Sequence, residues 1–269
     1  MFELDKLHLT ANIDRFYDFC EKRIQGIETG IPILDRTLLG LRGITCFQGA
    51  TKTNKSTFVT QIARHYAMNH GPVIFYDREN GLNRIILRLL CQIGNHAESE
   101  VTTNPRNISA IKLLNDLPFY VVREISEEHL KIMFEKCLEI ERKPVLLVID
   151  SLQKLSNVKV NKERRDSIDK WLWTLDDLKV TYEQDIKIIF TSEININGEA
   201  KESSQIGYTA ETTLMLRNCL QDPNKVICSI LYDRDGPSGI DMNFRRVLVN
   251  PKDPRSFCYR MEEIADDPY

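Results

Sequence analysis

The sequence has no apolar run long enough to cross a membrane and no leader-like start. Across its 269 residues, no stretch approaches the roughly 18 apolar residues of a membrane helix. The first residues, MFELDKLHLTANIDRF, are charged within four positions and contain no apolar run. We therefore expect a soluble chain without a membrane partner, located in the cytoplasm or in another reducing intracellular compartment.

Paired cysteines and an excess of basic residues are also missing. The seven cysteines are scattered and none lies in a C-x-x-C pair, which argues against a zinc knuckle or a redox-active pair. Most lie beside apolar residues, so we expect buried free thiols. The net charge of −3 provides no overall attraction to nucleic acid. Any contact with nucleic acid must therefore come from local loops.

What the sequence does contain is a regular alternation of strand-like and helix-like segments. Short runs that are apolar throughout predict strands covered on both faces, as in PVIFYD, VLLVID and IKIIF. Longer amphipathic segments between them predict helices. From about residue 212, TTLMLR and KVICSILYD suggest strands at one edge. The pattern predicts an α/β fold, with a mainly parallel central sheet flanked by helices and a β-rich C-terminal edge.

Helical spacing of Ile13, Tyr17 and their apolar neighbours precedes this alternation. We therefore divide the chain into an N-terminal helical extension, residues 1–25, and one α/β domain, residues 26–269. The extension could pack on its own domain or on a neighbour, and the sequence favours neither.

The segment FQGATKTNKSTF, residues 47–58, is similar to a phosphate-binding loop between a strand and a helix. Gly49, Lys55 and Ser56 match the pattern G-x-x-x-x-G-K-[ST], but Asn54 replaces the second glycine. In such loops, backbone N–H groups and the helix N-terminus face phosphate oxygens, the lysine contacts the β- and γ-phosphates, and the hydroxyl holds Mg²⁺. The candidate nucleotide-binding residues are Gly49, Ala50, Thr51, Lys52, Thr53, Asn54, Lys55, Ser56 and Thr57.

Asn54 is a tolerable replacement if this position requires a positive φ, because asparagine adopts that conformation more readily than most residues. Its side chain would crowd the phosphate, so we expect a genuine but weakened site. The alternative is a surface turn rich in glycine, threonine and lysine.

Two acidic residues follow predicted strands. Asp150 ends KPVLLVID, where a carboxylate in an open α/β sheet faces the ligand crevice and can orient Mg²⁺ through water; it could also cap the following helix. Glu79 follows the strand that ends in FYD and could act as a general base on the attacking water. The alternative for Glu79 is a solvated loop residue.

With these features in order, residues 26–249 resemble the RecA-like ATPases, and more closely the ATPase domain of DnaB/Twinkle-type replicative helicases. VLLVIDSLQKL is similar to the I-D-x-L-Q-x-[LM] segment of that family, and YDREN followed by a helix carrying Arg88 resembles its glutamate motif. YDRDGPSG is similar to its K-x-R-x-G-P-x-G motif. The domain of residues 26–269 would then be a RecA-like ATPase domain.

The resemblance implies a chemistry and an assembly. Glu79 would be the catalytic base, Lys55 and Glu193 would contact the nucleotide, and Ser56 and Asp150 would hold Mg²⁺. Arg234 would be an arginine finger acting in the neighbouring subunit. The implied cofactors are ATP and Mg²⁺. The implied function is a DNA helicase or translocase core that works on single-stranded DNA as a ring-shaped homo-oligomer, such as a hexamer, among other replication or recombination proteins.

Four residues depart from the family pattern. Asn54 replaces the loop glycine, Glu193 replaces a glutamine that senses the γ-phosphate, Tyr232 replaces a cation, and Tyr208 replaces a glutamine. Three of these departures are at positions that would act on the phosphates, so hydrolysis could be slow or require a partner. The alternatives are an ATP-binding regulator, loader or recombination mediator with weak or no hydrolysis, and a structural subunit that has lost nucleotide binding.

Two polar segments are candidates for DNA contact. The resemblance places the segments NVKVNKERRD and EININGEAKESSQIGY at a central channel, and their candidate residues are Lys159, Lys162, Arg164, Arg165 and Lys201. The alternative is a solvated basic helix start. Trp171 and Trp173 are two positions apart and point to different helix faces, so at least one should be in the core.

Overall fold

A computed structural model describes residues 26–156, 161–194, 205–252, 256 and 258–264, together with Ile13 and Tyr17. The side chains of residues 161 and 162 are outside this description. Ile13 and Tyr17 are helical and exposed. The rest of the predicted extension lies outside the described residues, and the division of the chain at residue 26 stays a prediction.

The described ranges alternate between helices and strands, as the sequence pattern predicts. The helices are α1 Pro32–Leu38, α2 Lys55–Asn69, α3 Leu82–Gly94, α4 Glu98–Thr103, α5 Ala110–Asn115, α6 Glu127–Glu141, α7 Asn161–Tyr182 and α8 Ile206–Thr209. The strands are β1 Ile44–Gly49, β2 Val73–Asp77, β3 Phe119–Val122, β4 Val145–Asp150, β5 Ile186–Glu193, β6 Thr212–Asn218, β7 Lys225–Asp233, β8 Asp241–Leu248 and β9 Tyr259–Glu263.

Within the described residues these strands form a single nine-stranded sheet, in the order β3-β2-β4-β5-β1-β6-β7-β8-β9. The pairs from β3 to β6 are parallel, and the pairs from β6 to β9 are antiparallel. The predicted fold class, a mainly parallel sheet with a β-rich C-terminal edge, is confirmed. Because the pairs from β3 to β6 are parallel, the carboxyl ends of β1, β2, β4 and β5 lie at the same edge of the sheet.

Both faces of the sheet are covered, which explains why the central strands are apolar throughout. On one face, Phe47 and Phe75 belong to the same buried cluster as Phe58 of α2. On the other, Phe134 of α6 and Trp171 of α7 pack with strand residues. Trp171 is 5% exposed and Trp173 is 72% exposed, so the expectation that at least one tryptophan is in the core is confirmed. The described cysteines are free, and they are buried except for Cys219.

No strand was predicted after β8, yet β9 pairs with β8 and forms the outermost strand on that side of the sheet. Its outer edge is bound by side-chain amides. The Gln61 side chain donates to the Met261 carbonyl (3.2 Å) and accepts from the Met261 N–H (2.9 Å), while the Gln92 Nε2 donates to the Tyr259 carbonyl (3.1 Å). The short helices α4 and α5 were also missed. Among the described helices, none is both long enough and apolar enough to span a bilayer.

Candidate nucleotide-binding site

The candidate loop connects β1 to α2 at the carboxyl edge of the sheet. Gly49, the last residue of β1, pairs with Glu193 of β5, and Asp77 of β2 pairs with Asp150 of β4. The sheet register therefore brings the ends of four strands together around the N-terminus of α2. A helix N-terminus carries free N–H groups and a partial positive charge, which suits an anion.

The loop backbone explains two residues of the motif. A Cβ atom at Gly49 would lie 2.5 Å from the Thr53 Oγ1 and 2.7 Å from the Leu216 carbonyl oxygen, so only glycine fits there. Asn54 has φ 68° and ψ 23°, in the left-handed region. That is the conformation in which asparagine is tolerated and glycine is preferred. The Asn54 Nδ2 is buried, with no hydrogen-bond partner within the described ranges.

Lys55 lies across the loop and is buried. Its Nζ donates to the carbonyl oxygens of Gly49 (2.8 Å) and Ala50 (2.9 Å). Burial lowers the pKa of Lys55, while the neighbouring carboxylates of Glu193, Asp150 and Glu79 raise it. The three predicted acidic site residues therefore all act electrostatically on one lysine.

Asp150 and Ser56 form a hydroxyl–carboxylate pair suited to a magnesium ion. The Thr191 hydroxyl donates to the Asp150 Oδ1 at 2.7 Å, and Ser56 also hydrogen-bonds the Asp150 carboxylate. Burial raises the pKa of Asp150, and the hydrogen bonds from Ser56 and Thr191 lower it. Oxygen ligands of this kind are those that Mg²⁺ takes, usually with several waters retained.

Glu79 lies in a turn immediately after β2, and its carboxylate is accessible. Its side chain is 61% exposed, with the Lys154 Nζ 3.6 Å from its Oε2. An exposed ion pair of this kind contributes little, roughly 0–1 kcal/mol, and holds the carboxylate weakly. This position is consistent with Glu79 acting as the general base, and that role stays a prediction.

The sequence reasoning missed Asp77, which fixes this turn. The Asp77 side chain is fully buried, and its Oδ1 accepts hydrogen bonds from the backbone N–H groups of Glu79 (2.8 Å) and Asn80 (3.0 Å). Its Oδ2 is buried without a partner among the residues that the structure describes. The signal was present in YDREN, because Asp77 ends a strand as Asp150 does.

Arg88 of α3 is a half-buried cation at this edge. Burial lowers the pKa of Arg88, while Asp150 and Asp77, among other groups, raise it. Its positive charge therefore offsets part of the repulsion between the two buried carboxylates, which also raises the pKa of Asp150.

Glu193 ends β5 beside the loop. The Gln153 side chain, after β4, donates to the Ser192 Oγ (2.9 Å) and accepts from the Glu193 N–H (3.4 Å). The Leu152-Gln153 pair of the sequence motif therefore has a structural use, because Gln153 ties the end of β5 to the segment after β4. Arg164, at the start of α7, donates to the Gln153 carbonyl at 3.4 Å.

Arg234 lies at the opposite ends of the strands from the candidate site, beside the start of β6. It follows Asp233, which pairs with Thr212 at the start of β6, whereas Leu216 of β6 pairs with Gly49. Thr212 and Leu216 are four residues apart, roughly 13 Å along a strand. The Arg234 side chain is 48% exposed and forms an ion pair with Glu211 (3.3 Å). It therefore does not contribute to the site of its own chain.

The structure places only part of the predicted nucleic-acid interface. Arg164 is half-buried and Arg165 is exposed near the start of α7. Lys159, Lys201 and the side chain of Lys162 lie outside the described residues. The departures Tyr208 and Tyr232 are exposed, at 78% and 45%.

The parallel sheet, the strand–loop–helix with its lysine and hydroxyl, and the acid on a nearby strand define a RecA-like P-loop ATPase. The sequence model of the DnaB-like helicase C-terminal domain matches residues 26–210, and the chain belongs to that family. It therefore contains a DnaB-like helicase ATPase domain.

Two solved structures share this fold. The ATPase domain of G40P is 20% identical, with a TM-score of 0.74, over 89% of this chain and 95% of that chain. A DnaB-like replicative helicase, described with its interactions with primase, is also 20% identical, with a TM-score of 0.73, over 88% of this chain and 64% of that chain. At this identity the likeness concerns the fold. The comparison with curated proteins gave no match.

Proposed function

We propose that this chain is an ATP- and Mg²⁺-dependent motor that moves on single-stranded DNA as a ring-shaped homo-oligomer. The observation that carries the proposal is the separation of the catalytic groups. Lys55, Glu79 and the Ser56–Asp150 pair meet at one edge of the sheet, whereas Arg234 lies at the other. A ring would bring Arg234 of one subunit to the nucleotide of the next.

The residues present fit Mg²⁺ and ATP. The buried Asp77 Oδ2 without a described partner and the Ser56–Asp150 pair supply only oxygen atoms, which suits Mg²⁺. When bound, Mg²⁺ would neutralise negative charge on the β- and γ-phosphates. Ser56 and Asp150 would hold it, and the loop N–H groups of residues 50–55 would face the phosphates.

Each side chain then has a distinct task. Lys55, now on the carbonyls of Gly49 and Ala50, would exchange those contacts for phosphate oxygens. Glu79 would take a proton from the attacking water. Asp77 would position Glu79, because its carboxylate accepts from the N–H groups of the turn that carries Glu79. Arg234 of a neighbour would stabilise the charge that develops on the transferred phosphoryl group.

Contact with single-stranded DNA is proposed for the first turns of α7 with the residues just before them, and for the segment before α8. The candidates are Lys159, Lys162, Arg164, Arg165 and Lys201. Arg164 of α7 contacts Gln153, which contacts Ser192 and Glu193, so a described chain of hydrogen bonds runs from the start of α7 toward the candidate nucleotide site. Charge reversal at Arg165 should weaken binding of single-stranded DNA and reduce its salt dependence.

The proposal is tested by steady-state ATP hydrolysis with and without single-stranded DNA, alongside the mass of the assembly. We expect DNA to stimulate turnover. The Glu79→Gln variant should lose at least about 100-fold in turnover while it still binds Mg²⁺–ATP. Glu139→Gln, at an exposed position of α6, is the matched control and should match the wild type.

The comparisons do not favour the alternative of a regulator, loader or mediator with little hydrolysis, although Asn54 and Glu193 would slow the reaction. Turnover that is unmeasurable in the presence of DNA, with intact ATP binding, would favour that alternative. Turnover that Glu79→Gln leaves unchanged would overturn the assignment of the base.

A further inference from the structure

Three side chains with metal-binding atoms meet at the far end of α2 from the nucleotide site. Glu28 precedes α1, His65 lies in the last turns of α2, and His70 caps that helix. Each residue offers one ligand atom, and these atoms all lie within 4.8 Å of one another. The Glu28 Oε2 is 4.0 Å from the His70 Nε2. His65 lies ten residues after Lys55, about 15 Å along the helix.

The two imidazoles have buried nitrogen atoms that nothing described satisfies. The Nε2 atoms of His65 and His70 are both inaccessible to solvent, and neither has a hydrogen-bond partner in the described part of the chain. Leaving such a group without a partner costs free energy, about 1–3 kcal/mol for each buried group. A ligand that accepts electron density from both rings would remove that cost.

The position of His65 is set by close packing. Gly30 has φ 71°, and a Cβ atom there would lie 2.4 Å from the His65 ring. Burial, His70 and Arg64 lower the pKa of His65, while Asp35 and Glu28 raise it, with burial the largest cause.

We propose that Glu28, His65 and His70 bind one divalent ion of the zinc type, with water completing the shell. Two imidazoles and one carboxylate suit Zn²⁺, Co²⁺ or Ni²⁺ and not Mg²⁺, which takes oxygen ligands. Metal–ligand bonds of about 2.0–2.2 Å at tetrahedral angles place the ligand atoms about 3.4 Å from one another. The ligand atoms here lie within 4.8 Å of one another, so each pair must come closer by about 1.5 Å at most.

The surroundings permit that approach. The Glu28 side chain is 70% exposed and can rotate. The partial negative charge at the C-terminus of α2 favours a cation there. If His65 ligates through Nε2, its proton moves to Nδ1. The Asn69 amide, whose Nδ2 is 3.2 Å from that Nδ1 and donates to the His65 carbonyl (2.9 Å), must then turn its oxygen toward the ring and give up the bond to the carbonyl.

The bound ion would join two parts of the domain. Glu28 belongs to the segment that leads into α1, where Ile27 forms an isolated bridge with Leu41. His65 and His70 belong to the helix that begins at the phosphate loop. The ion would therefore fasten the segment just before α1 to the C-terminal end of α2.

The test is a titration of the EDTA-treated full chain, without a histidine tag, with Co²⁺ followed by its visible absorption, and then with Zn²⁺ by calorimetry. We expect one ion per chain and a higher melting temperature with Zn²⁺. His70→Gln and Glu28→Gln should each weaken binding at least tenfold, and the His65→Gln/His70→Gln double variant should abolish it. His129→Gln, an exposed histidine of α6, is the control and should bind as the wild type does.

Because His65 packs against Gly30, circular dichroism without metal must first show that each variant is folded. If the His65 variant unfolds, His70→Gln and Glu28→Gln carry the test. Equal binding by the wild type and His70→Gln would overturn the proposal, and so would the absence of saturable Co²⁺ binding. The readout uses neither nucleotide nor DNA, so its result is independent of the motor function proposed above.

Discussion

Asn54 departs most plainly from the phosphate-loop pattern. Mutations at this position can separate the effect of the left-handed backbone from the effect of the side-chain amide. Its φ of 68° lies where L-residues are strained, and its Nδ2 is buried without a partner in the described ranges. Asn54→Gly and Asn54→Ala both remove the amide. They differ only in the Cβ atom, so the comparison between them isolates the cost of the left-handed backbone.

The expected magnitude follows from that geometry. A Cβ atom in the left-handed region costs about 1–2 kcal/mol, and glycine loses about 0.5–1 kcal/mol more than alanine through its greater freedom in the unfolded chain. Asn54→Gly should therefore be more stable than Asn54→Ala, by up to about 1.5 kcal/mol. With less crowding at the phosphate, Asn54→Gly should also bind ATP more tightly than the wild type does.

The assay is urea denaturation for stability, with calorimetry for Mg²⁺–ATP. Lys136, exposed in α6, is the matched control, because at an ordinary helical position alanine is more stable than glycine by about 1 kcal/mol. The sign of the difference should thus reverse between the two sites. If alanine is more stable than glycine at position 54 by as much as it is at position 136, the strain argument is wrong.

Three further predictions concern the proposed catalytic residues. Asp77→Ala should lower kcat with little change in KM, because the Glu79 turn loses its acceptor, while Asp77→Asn should recover part of the loss; equal kcat for the two variants would contradict a positioning role. Inactive Glu79→Gln and inactive Arg234→Ala chains should regain hydrolysis when mixed, since a site then forms between an intact Glu79 and an intact Arg234; a mixture that stays inactive would exclude a finger in trans. Asp150→Asn should raise the melting temperature of the nucleotide-free protein at pH 7. Burial raises the pKa of Asp150 in the folded protein above its value in the unfolded chain. The charge on Asp150 therefore lowers stability fully above the folded pKa and not at all below the unfolded pKa. In a series of melting curves, the extra stability of Asp150→Asn should vanish as the pH falls from the first value to the second.

Much of the fold could be predicted because the signals were local. Continuous apolar strands such as VLLVI and IKIIF require cover on both faces, and the amphipathic helices between them supply it. The short helices α4 and α5 were missed because six-residue helices have too few turns for a clear periodicity. β9 was missed because its pairing with β8 is a tertiary property, and YRMEE is too polar to indicate a strand by itself.

Part of the candidate site could be proposed from the sequence, where a residue belongs to a local motif, and less of it where residues depend on one another. Lys55, Ser56 and Asp150 follow from motif and strand position. Asp77 was missed because its importance depends on two turn N–H groups and on the neighbouring Asp150, which only the sheet register brings into view. The Glu28–His65–His70 cluster could not be foreseen, since Glu28 belongs to a different segment from the two histidines and only the tertiary packing brings it beside them.

The amides that bind β9 have a consequence for how this molecule meets other chains. An outermost strand usually exposes a row of free N–H and C=O groups, onto which a second polypeptide can add by backbone pairing. Here the carboxamide of Gln61 satisfies the outward N–H and C=O of Met261, and that of Gln92 satisfies the outward C=O of Tyr259. At these groups the strand has no free backbone atoms to offer, so a neighbour that meets β9 there contacts side chains.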